Sequence, residues 1–389
     1  MKKKLKLYII AGEPSGDNLG AKLIKALKNN NNYDISFSGI GGENMQKEGM
    51  HSLFPMSELS IMGFLEVIPH IPNVLNRINE TVEEIYRTQP DIVITIDSPG
   101  FCFRVAKKLK NRNFKLVHYV APTVWAYKPG RAKKIAKLYD HLLAILPFEP
   151  PYFDAVGLDN SFIGHPIVED FKSQDLQKLR RDFRKKHNIS ESAKVLCMLG
   201  GSRISEIKRL MPIYIETCKI LSKRLDNLHI VVPTLPHIKD SISKYMENSG
   251  ISYVIVENKD DKDSAYAACD VALAKSGTAT LEISLFKLPM IIAYKVSFVS
   301  YLIIKSMIKI KYANLINIIL NKEVIPEFIQ GKCNADNLSR GLLKLFNDQK
   351  MQKKQIDTCQ QVFKDLGLED NYLPSQKAAK VILKLSAGK

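Results

Sequence analysis

Two short segments in the second half of the chain combine small residues with polar groups in a way that suits a phosphate. Each follows an apolar run and precedes a helix-like segment: the first is Gly200-Gly-Ser-Arg203 and the second is Ser276-Gly-Thr-Ala-Thr280. A strand that stops at small residues just before a helix leaves backbone N–H groups aimed at one spot, with the positive end of the helix dipole behind them. Such a spot suits a diphosphate, so the two segments together predict a nucleotide-diphosphate site.

Side chains of these segments can complete that site. The guanidinium group of Arg203 can bind a phosphate through two parallel hydrogen bonds. Ser276, Gly277 and Thr278 offer N–H and hydroxyl donors. Glu282 lies one helical turn further on, where its carboxylate can accept hydrogen bonds from ribose hydroxyls or simply face solvent.

Two segments in the first half also end predicted strands. In Gly12-Glu-Pro-Ser-Gly-Asp17 the glycines permit a tight turn, and Ser15 or Asp17 can cap the following helix. Asp97 closes an apolar run, so its carboxylate is expected to be partly desolvated. Desolvation raises the pKa of a carboxyl group, which makes it a better general base. The alternative is that Asp97 only caps the helix after it.

An aromatic segment, residues 118–127, follows another apolar run and contains His118 and Trp125, the only tryptophan of the chain. A lone histidine at a strand end is more often structural than catalytic, whereas an aromatic loop can hold a sugar or an acyl chain. The sequence leaves both interpretations open.

Two further segments are more apolar than ordinary loops. Residues 61–75 contain two prolines among Ile, Met, Phe, Leu and Val, and residues 298–320 mix apolar side chains with three lysines. Basic, apolar segments can lie at a bilayer interface. Core packing, or a contact between two copies of the chain in a homodimer, would explain them equally well.

Metal-ligand spacing is not evident in the sequence. Asp261-Lys-Asp263 resembles a metal-binding Asp-x-Asp pair, but acidic residues there favour the N-terminus of the helix predicted from Ser264. The sequence therefore predicts neither a catalytic metal nor another cofactor. The six cysteines lie in mostly apolar contexts and indicate buried thiols in a reducing cytoplasm.

The elements that must position these residues alternate between strand and helix. Most predicted strands are continuous apolar runs, which is typical of a parallel sheet covered on both faces. The pattern predicts an α/β fold of two Rossmann-like, doubly wound domains facing across a cleft. We expect a first domain over residues 1–168 and a second over 169–360, with a polar boundary at 169–193. The predicted strands are 5–11, 35–39, 91–97, 115–120, 141–146, 228–233, 253–257, 271–274 and 290–294.

Composition limits the class of protein. The chain has 389 residues, 45% hydrophobic and 25% charged, which suits two globular domains. Its 57 basic and 40 acidic residues give a net charge of +17, but the lysines are dispersed without interleaved aromatics, so no nucleic-acid partner is predicted. Attraction to anionic lipid head groups fits the charge better. The N-terminus lacks a signal-peptide pattern, and no uncharged stretch approaches the roughly 20 residues of a membrane span.

The ordered series of motifs closely resembles the lipid A disaccharide synthases, inverting glycosyltransferases of the two-Rossmann (GT-B) class. The resemblance covers nearly the whole chain. It is carried by 12–17, 39–42, 61–63 with 66–67, 96–99, 118–120, 122–126, 146–149, 162–165, 201–203 with Glu206, 276–279 with 281–282, and Tyr312 with Asn317.

The resemblance implies that UDP-2,3-diacylglucosamine donates its sugar to 2,3-diacylglucosamine 1-phosphate. The products would be a β-1,6-linked disaccharide 1-phosphate and UDP, formed with inversion and without a metal. It implies a protein at the inner face of the cytoplasmic membrane, and a C-terminal helix over 361–389 that returns to the first domain. The residues expected to act are Asp97, Glu13 and Ser15 in catalysis; Gly201, Ser202, Arg203, Glu206, Ser276, Gly277, Thr278, Ala279, Thr280, Glu282 and Asn317 on the donor; and Gly16, Asp17, Met62, Phe64, Val67, His118 and Trp125 on the acceptor or its acyl chains.

Two alternatives remain. One is another UDP-sugar enzyme of the same fold, such as a 2-epimerase or a peptidoglycan glycosyltransferase, which would share the donor site but not the first-domain motifs. The other is a basic binding protein without turnover, which would release no UDP from any sugar nucleotide.

Overall fold

The apolar runs of the first part of the chain form one parallel sheet. Our structure is a computed structural model that describes residues 2–59, 71–171, 175–308 and 310–387. The strands of this first sheet are β1 Lys3–Ala11, β2 Tyr33–Ile40, β3 His51–Ser52, β4 Ile92–Ile96, β5 Lys115–Tyr119, β6 His141–Ala144 and β7 Asn160–Phe162. Their order across the sheet is β3-β2-β1-β4-β5-β6-β7.

A second parallel sheet has the same kind of strand order, β10-β9-β8-β11-β12-β13. Its strands are β8 Lys194–Leu199, β9 Leu228–Pro233, β10 Tyr253–Val256, β11 Val271–Lys275, β12 Met290–Tyr294 and β13 Glu327–Ile329. Most strands in each sheet were predicted to within a few residues. The short edge strands β3, β7 and β13 were missed because two or three residues give no detectable period.

Helices connect the strands and cover the sheets. Their bounds are α1 Pro14–Lys28, α2 Glu43–Lys47, α3 Ile71–Thr88, α4 Pro99–Lys108, α5 Arg131–Ala136, α6 Pro150–Asp154, α7 Ile167–Asp170, α8 Leu176–Lys186, α9 Ile204–Ser222, α10 Lys239–Glu247, α11 Lys259–Ala268, α12 Ala279–Leu285, α13 Phe298–Met307, α14 Leu315–Leu320, α15 Ala335–Asn347, α16 Gln349–Asp365 and α17 Pro374–Ala387. None of the helices in the described ranges combines the length and the hydropathy of a membrane-spanning segment.

The chain divides into two units, each built on one of the sheets. The first unit comprises Met1–Asp170 and Asp365–Lys389, and the second comprises Phe171–Lys364. Strands buried on both faces form the centre of each unit: every residue of β4 is buried, as are the last four of β1 and the first four of β11. This burial explains the uninterrupted apolar runs and confirms the predicted α/β class of two doubly wound sheets.

Helix α8 occupies the middle of the polar stretch predicted as a boundary. Arg184 in this helix has no exposed side-chain surface. Its guanidinium group donates to the carbonyls of Ala268 and Ser190, at 3.0 and 3.1 Å, and forms an ion pair with Asp270 at 3.3 Å. A sequence that looks like a linker by composition is therefore an integral part of the second unit.

Helix α17 returns the chain to the first unit. Its buried residues Ala378 and Ile382 join the core cluster that contains β1 and α1 residues such as Leu5 and Leu23. The connection before it is tied to the first unit as well, because the N–H of His165 donates to the Leu366 carbonyl at 2.9 Å. Residues from about 365 onwards thus complete the core of the first unit.

Candidate active site

In both sheets the strand order reverses direction at one pair of strands, and the predicted functional segments follow those strands. In the first sheet β1 pairs with β4, so that Ala11 lies beside Ile96. In the second sheet β8 pairs with β11, so that Leu199 lies beside Ala274. Crevices outside the carboxyl ends of such strands are where doubly wound sheets bind ligands.

Close packing at the first crevice requires glycine. A Cβ atom added to Gly16 would lie 3.3 Å from the Ala11 Cβ and 3.5 Å from the Ile96 carbonyl oxygen, and one added to Gly12 would lie 2.4 Å from the Ser98 Oγ. Helix α1 can therefore begin directly over the ends of β1 and β4. This arrangement brings Glu13 and Asp97 to the same crevice.

The Asp97 carboxyl group lies in a partly desolvated environment. It is half-buried, and both it and Ser98 adopt left-handed backbone conformations, with φ values of 48° and 46°. Burial raises the pKa of the Asp97 carboxyl, and the Ser98 N–H opposes that shift only in part. The N-cap residue of helix α4 is Ser98, and its side chain makes no capping hydrogen bond.

Glu13 is the second carboxylate of the crevice. It remains accessible to solvent; partial burial first, and then the negative charge of Asp97, raises the pKa of its carboxyl. Both carboxyl groups of this crevice therefore have raised pKa values, and burial is the main cause in each. Ser15, in the first turn of α1, is exposed beside them.

The capping role predicted for Asp17 is wrong. Helix α1 has no side-chain cap, and the Asp17 carboxylate is only 3% exposed. It accepts hydrogen bonds from the backbone N–H groups of Gly42, Asn44 and Met45, at 2.8, 3.0 and 3.1 Å. Asp17 thus satisfies the first turn of α2, and its oxygens are not available to an acceptor sugar.

His118 is a core residue instead of an acceptor contact. It is 1% exposed, its Nδ1 lies 2.7 Å from the Thr95 Oγ1, and its ring packs against Phe103 and Tyr139. Burial lowers its pKa to about 3, so the imidazole is neutral. The structure therefore favours the structural interpretation that the sequence left open.

Trp125 is partly exposed and held in place by a buried glutamate. Its Nε1 donates to Glu149 at 3.3 Å, and its ring stands edge-on to Phe148. Burial raises the pKa of Glu149 to about 7, although the N–H of Leu146 and the indole favour its ionised form. The predicted acyl-chain residues Met62, Phe64 and Val67 lie outside the described residues.

At the second crevice a glutamate organises the turn after β8. Gly201 has φ 117°, and a Cβ atom there would lie 2.3 Å from Glu206 Oε2, so only glycine fits. The Ser202 N–H donates to that oxygen at 3.0 Å, and Lys275 Nζ lies 3.0 Å from Oε1. Burial alone would raise the pKa of Glu206, but the bond and charge of Lys275 outweigh it and the pKa is lowered.

A cavity of about 320 Å³ opens at this crevice. It contains six of the residues predicted to bind the donor, namely Gly201, Ser202, Gly277, Thr278, Ala279 and Glu282. In the first turn of α12 the N–H groups of Thr280 and Leu281 donate to the carbonyls of Gly277 and Thr278, at 3.2 and 3.0 Å. A larger cavity of about 870 Å³ lies beside β13 and contains none of the predicted residues.

The donor cavity also contains residues that the sequence reasoning did not select. Thr234 and Leu235 follow β9, Tyr266 and Lys262 come from α11, and Lys275 ends β11. Lys262 forms an ion pair with Glu282, and the Tyr266 hydroxyl lies 3.5 Å from that carboxylate. The charged run around Lys262 was assigned only to a helix terminus, although its position directly after β10, at the carboxyl end of a strand of the same sheet, could have indicated the cavity.

Asn317 and Thr280, both predicted to contact the donor, bond to other residues of the second unit. The Asn317 amide donates to the Ile325 carbonyl and to Glu327, at 2.7 and 2.8 Å, and is fully buried. Thr280 is also fully buried; its hydroxyl donates to the Gly277 carbonyl and accepts from Asn314. The side chains of both residues are therefore engaged in contacts within the second unit.

The two remaining donor residues lie at the edge of the cavity. The Ser276 hydroxyl donates to the Ala313 carbonyl at 2.7 Å, and its backbone N–H donates to the Ala293 carbonyl at 3.3 Å. Arg203 directly precedes α9 and is exposed. Its positive charge partly opposes the rise in the pKa of Tyr294, which lies at the end of β12. Within the described ranges no three His, Cys, Asp or Glu side chains group as metal ligands.

Comparisons with known proteins match this architecture. The family model described as lipid-A-disaccharide synthetase matches residues 7–381. A lipid-A-disaccharide synthase of Rickettsia bellii is 46% identical over 382 residues, covering 97% of this chain and 98% of the relative. That of Rhodospirillum centenum is 42% identical over 383 residues, covering 98% and 94%.

Solved structures share the fold at low sequence identity. A glycosyltransferase from Rickettsia africae has a TM-score of 0.63 at 14% identity, and a UDP-GlcNAc 2-epimerase from Neisseria meningitidis, bound to UDP-GlcNAc, has 0.64 at 10%; each covers all of both chains. The sequence matches decide between these activities, because they extend over almost the whole length at more than 40% identity. The chain belongs to the lipid-A-disaccharide synthase family, which confirms the resemblance found in its motifs and makes it a glycosyltransferase of lipid A biosynthesis.

Proposed function

We propose that this chain transfers the sugar of UDP-2,3-diacylglucosamine to the 6-hydroxyl of 2,3-diacylglucosamine 1-phosphate. The products are a β-1,6-linked disaccharide 1-phosphate and UDP. The observation that carries the proposal is the donor cavity at the reversal point of the second sheet, lined by six residues that the sequence assigned to a nucleotide diphosphate.

The donor binds to the second unit. The turns at Gly201–Ser202 and Gly277–Ala279 receive the diphosphate, Arg203 adds a positive charge at the rim, and Glu282 accepts the ribose hydroxyls. The Neisseria meningitidis 2-epimerase of similar fold binds UDP-GlcNAc, which supports a UDP-sugar as ligand.

The first unit supplies the base. Asp97 takes the proton of the acceptor 6-hydroxyl as that oxygen forms a bond to the anomeric carbon of the donor. The bond between this carbon and the UDP oxygen breaks, and its electron pair goes to the β-phosphate. Attack opposite the leaving group inverts the anomeric centre, and Glu13 and Ser15 adjust the proton affinity of Asp97. Basic side chains stabilise the leaving diphosphate without a metal.

The acceptor side consists of the first-unit residues around this base. Gly16 leaves room at the crevice, Trp125 packs on the sugar or an acyl chain, and the segment with Met62, Phe64 and Val67 takes acyl chains. Acylated substrates and a net charge of +17 support a location at the inner face of the cytoplasmic membrane. A homodimer would bring two such surfaces to one membrane.

The test is to supply both acylated sugars to the purified chain in the presence of EDTA. We expect UDP and the disaccharide 1-phosphate in equal amounts, and no UDP when the acceptor is omitted. A 2-epimerase would act on the sugar nucleotide alone, and a non-catalytic binding protein would release no UDP, so either result would reject the proposal. Arg203→Ala should weaken UDP binding, and unchanged affinity would remove Arg203 from the donor site.

A further inference from the structure

A lysine inside the donor cavity has no role in the mechanism above. Lys275 is the last residue of β11, and its side chain is 21% exposed. It lines the cavity together with Ser202 and Gly277, which contribute little side-chain bulk of their own. An ammonium group that is exposed to such a cavity has space for an anion beside it.

The position of the ammonium group is defined by three distances. Lys275 Nζ lies 3.0 Å from Glu206 Oε1 and 5.7 Å from the centre of the Tyr294 ring. A Cβ atom added to Gly277 would lie 3.8 Å from the same nitrogen. The absence of a side chain at Gly277 therefore leaves the space next to this nitrogen open.

The other cations of the site are less well placed for the same ligand. Lys262 forms an ion pair with Glu282, on the side of the cavity assigned to the ribose. Arg203 is exposed and is not among the residues that line the cavity. Glu206 bonds Lys275 through one oxygen and the Ser202 N–H through the other, so it holds the lysine against the turn where the diphosphate is expected.

We propose that Lys275 binds the β-phosphate of the donor and stabilises the negative charge that this phosphate gains when UDP leaves. This inference rests on the proposed function. Lys275 takes no part in the proton transfer: the electron pair of the broken bond goes to the β-phosphate oxygen, and the proton of the acceptor goes to Asp97. Glu206 keeps the lysine in position before the donor binds, and its lowered pKa keeps it ionised.

The experiment measures the binding of uridine, UMP and UDP to wild type, Lys275→Met and Lys275→Arg by calorimetry. We expect Lys275→Met to weaken UDP about 10- to 100-fold, the effect of losing a charged hydrogen bond, and to leave uridine unchanged. Lys275→Arg should restore part of the UDP affinity. Lys219→Met is the control of equal charge, because Lys219 is exposed on α9, about 22 Å along the helix from its first residue.

The outcomes separate the two proposals. If wild type binds no UDP, the proposed function itself fails. If wild type binds UDP and Lys275→Met binds it equally well, or if uridine and UDP weaken by the same factor, Lys275 does not contact the β-phosphate. A thermal unfolding curve for each variant in the absence of ligand shows whether the second unit is folded, and Lys275→Arg provides the comparison if Lys275→Met is not.

Discussion

Replacing Asp17 with alanine should destabilise the first unit by about 3 kcal/mol. The Asp17 carboxylate accepts three backbone N–H groups from the beginning of α2, and one of them, at Met45, is buried. A buried donor left without a partner costs roughly 1–3 kcal/mol. The donors at Gly42 and Asn44 are only partly buried and can bind water, so each costs less. The better helix propensity of alanine returns about 0.5 kcal/mol.

Asparagine gives a graded comparison at the same position. Its amide oxygen can accept from Gly42 and Met45, which both bond to Oδ1 of Asp17, whereas its NH₂ group would face the N–H of Asn44. One partly buried bond is lost, so Asp17→Asn should cost about 1 kcal/mol. Turnover of the folded variants should be unchanged, because no oxygen of Asp17 is free to contact a substrate.

Trp125, the only tryptophan, belongs to the first unit, so its fluorescence during urea unfolding measures the stability of this unit. A Cβ atom at Gly42 would lie 2.8 Å from Asp17 Oδ2, and Gly42→Ala should therefore cost less in the Asp17→Ala background than in wild type. A loss of less than about 0.5 kcal/mol in Asp17→Ala, or additivity of the two substitutions, would show that the three backbone bonds to Asp17 do not stabilise the first unit.

Three further substitutions test the site assignments. Asp97→Asn should keep UDP affinity and lower kcat about 100-fold, and wild-type kcat/KM should fall as pH drops through the raised pKa of Asp97; wild-type turnover in the variant would exclude Asp97 as the base. Glu149, with its pKa raised to about 7, binds more protons in the native state than when unfolded. Its contribution to stability is therefore complete below about pH 4.5 and is lost, by up to about 3 kcal/mol, as pH rises to 7. Glu149→Gln should remove this dependence in urea titrations followed by Trp125 fluorescence, and an unaltered pH profile would contradict the assignment. His118→Ala should cost about 3 kcal/mol of stability and leave kcat of the folded protein intact. A variant with wild-type stability and no turnover would indicate that His118 contacts the substrate.

The fold could be predicted because a strand that is buried on both faces is a continuous apolar run in the sequence. The apolar runs of β4, β8 and β11 need no partner residues to be recognised, and the small residues after them mark the carboxyl ends of the strands. The reversal points of the two sheets then follow from the strand order. This is why both crevices contain segments selected from the sequence alone.

The direction of each polar side chain could not be predicted, because its partner lies far away along the chain. Asp17 bonds to residues 25 to 28 positions later, and Asn317 lies within a motif but turns towards Ile325 and Glu327. Lys275 meets Glu206 only because β8 and β11 are neighbours. Motifs located these residues correctly in the fold without showing which of them face the ligand.

The interleaved connectivity of the units has a consequence for biosynthesis. Helix α17 is made after the entire second unit, yet it fills the core of the first unit beside β1 and α1. Until α17 has been translated, the sheet of the first unit keeps an uncovered apolar face. The sheet of the second unit can complete its packing before that point. Nascent chains stalled before Pro374 should therefore bind chaperones through residues of the first unit, which are translated first, and not through the residues translated last.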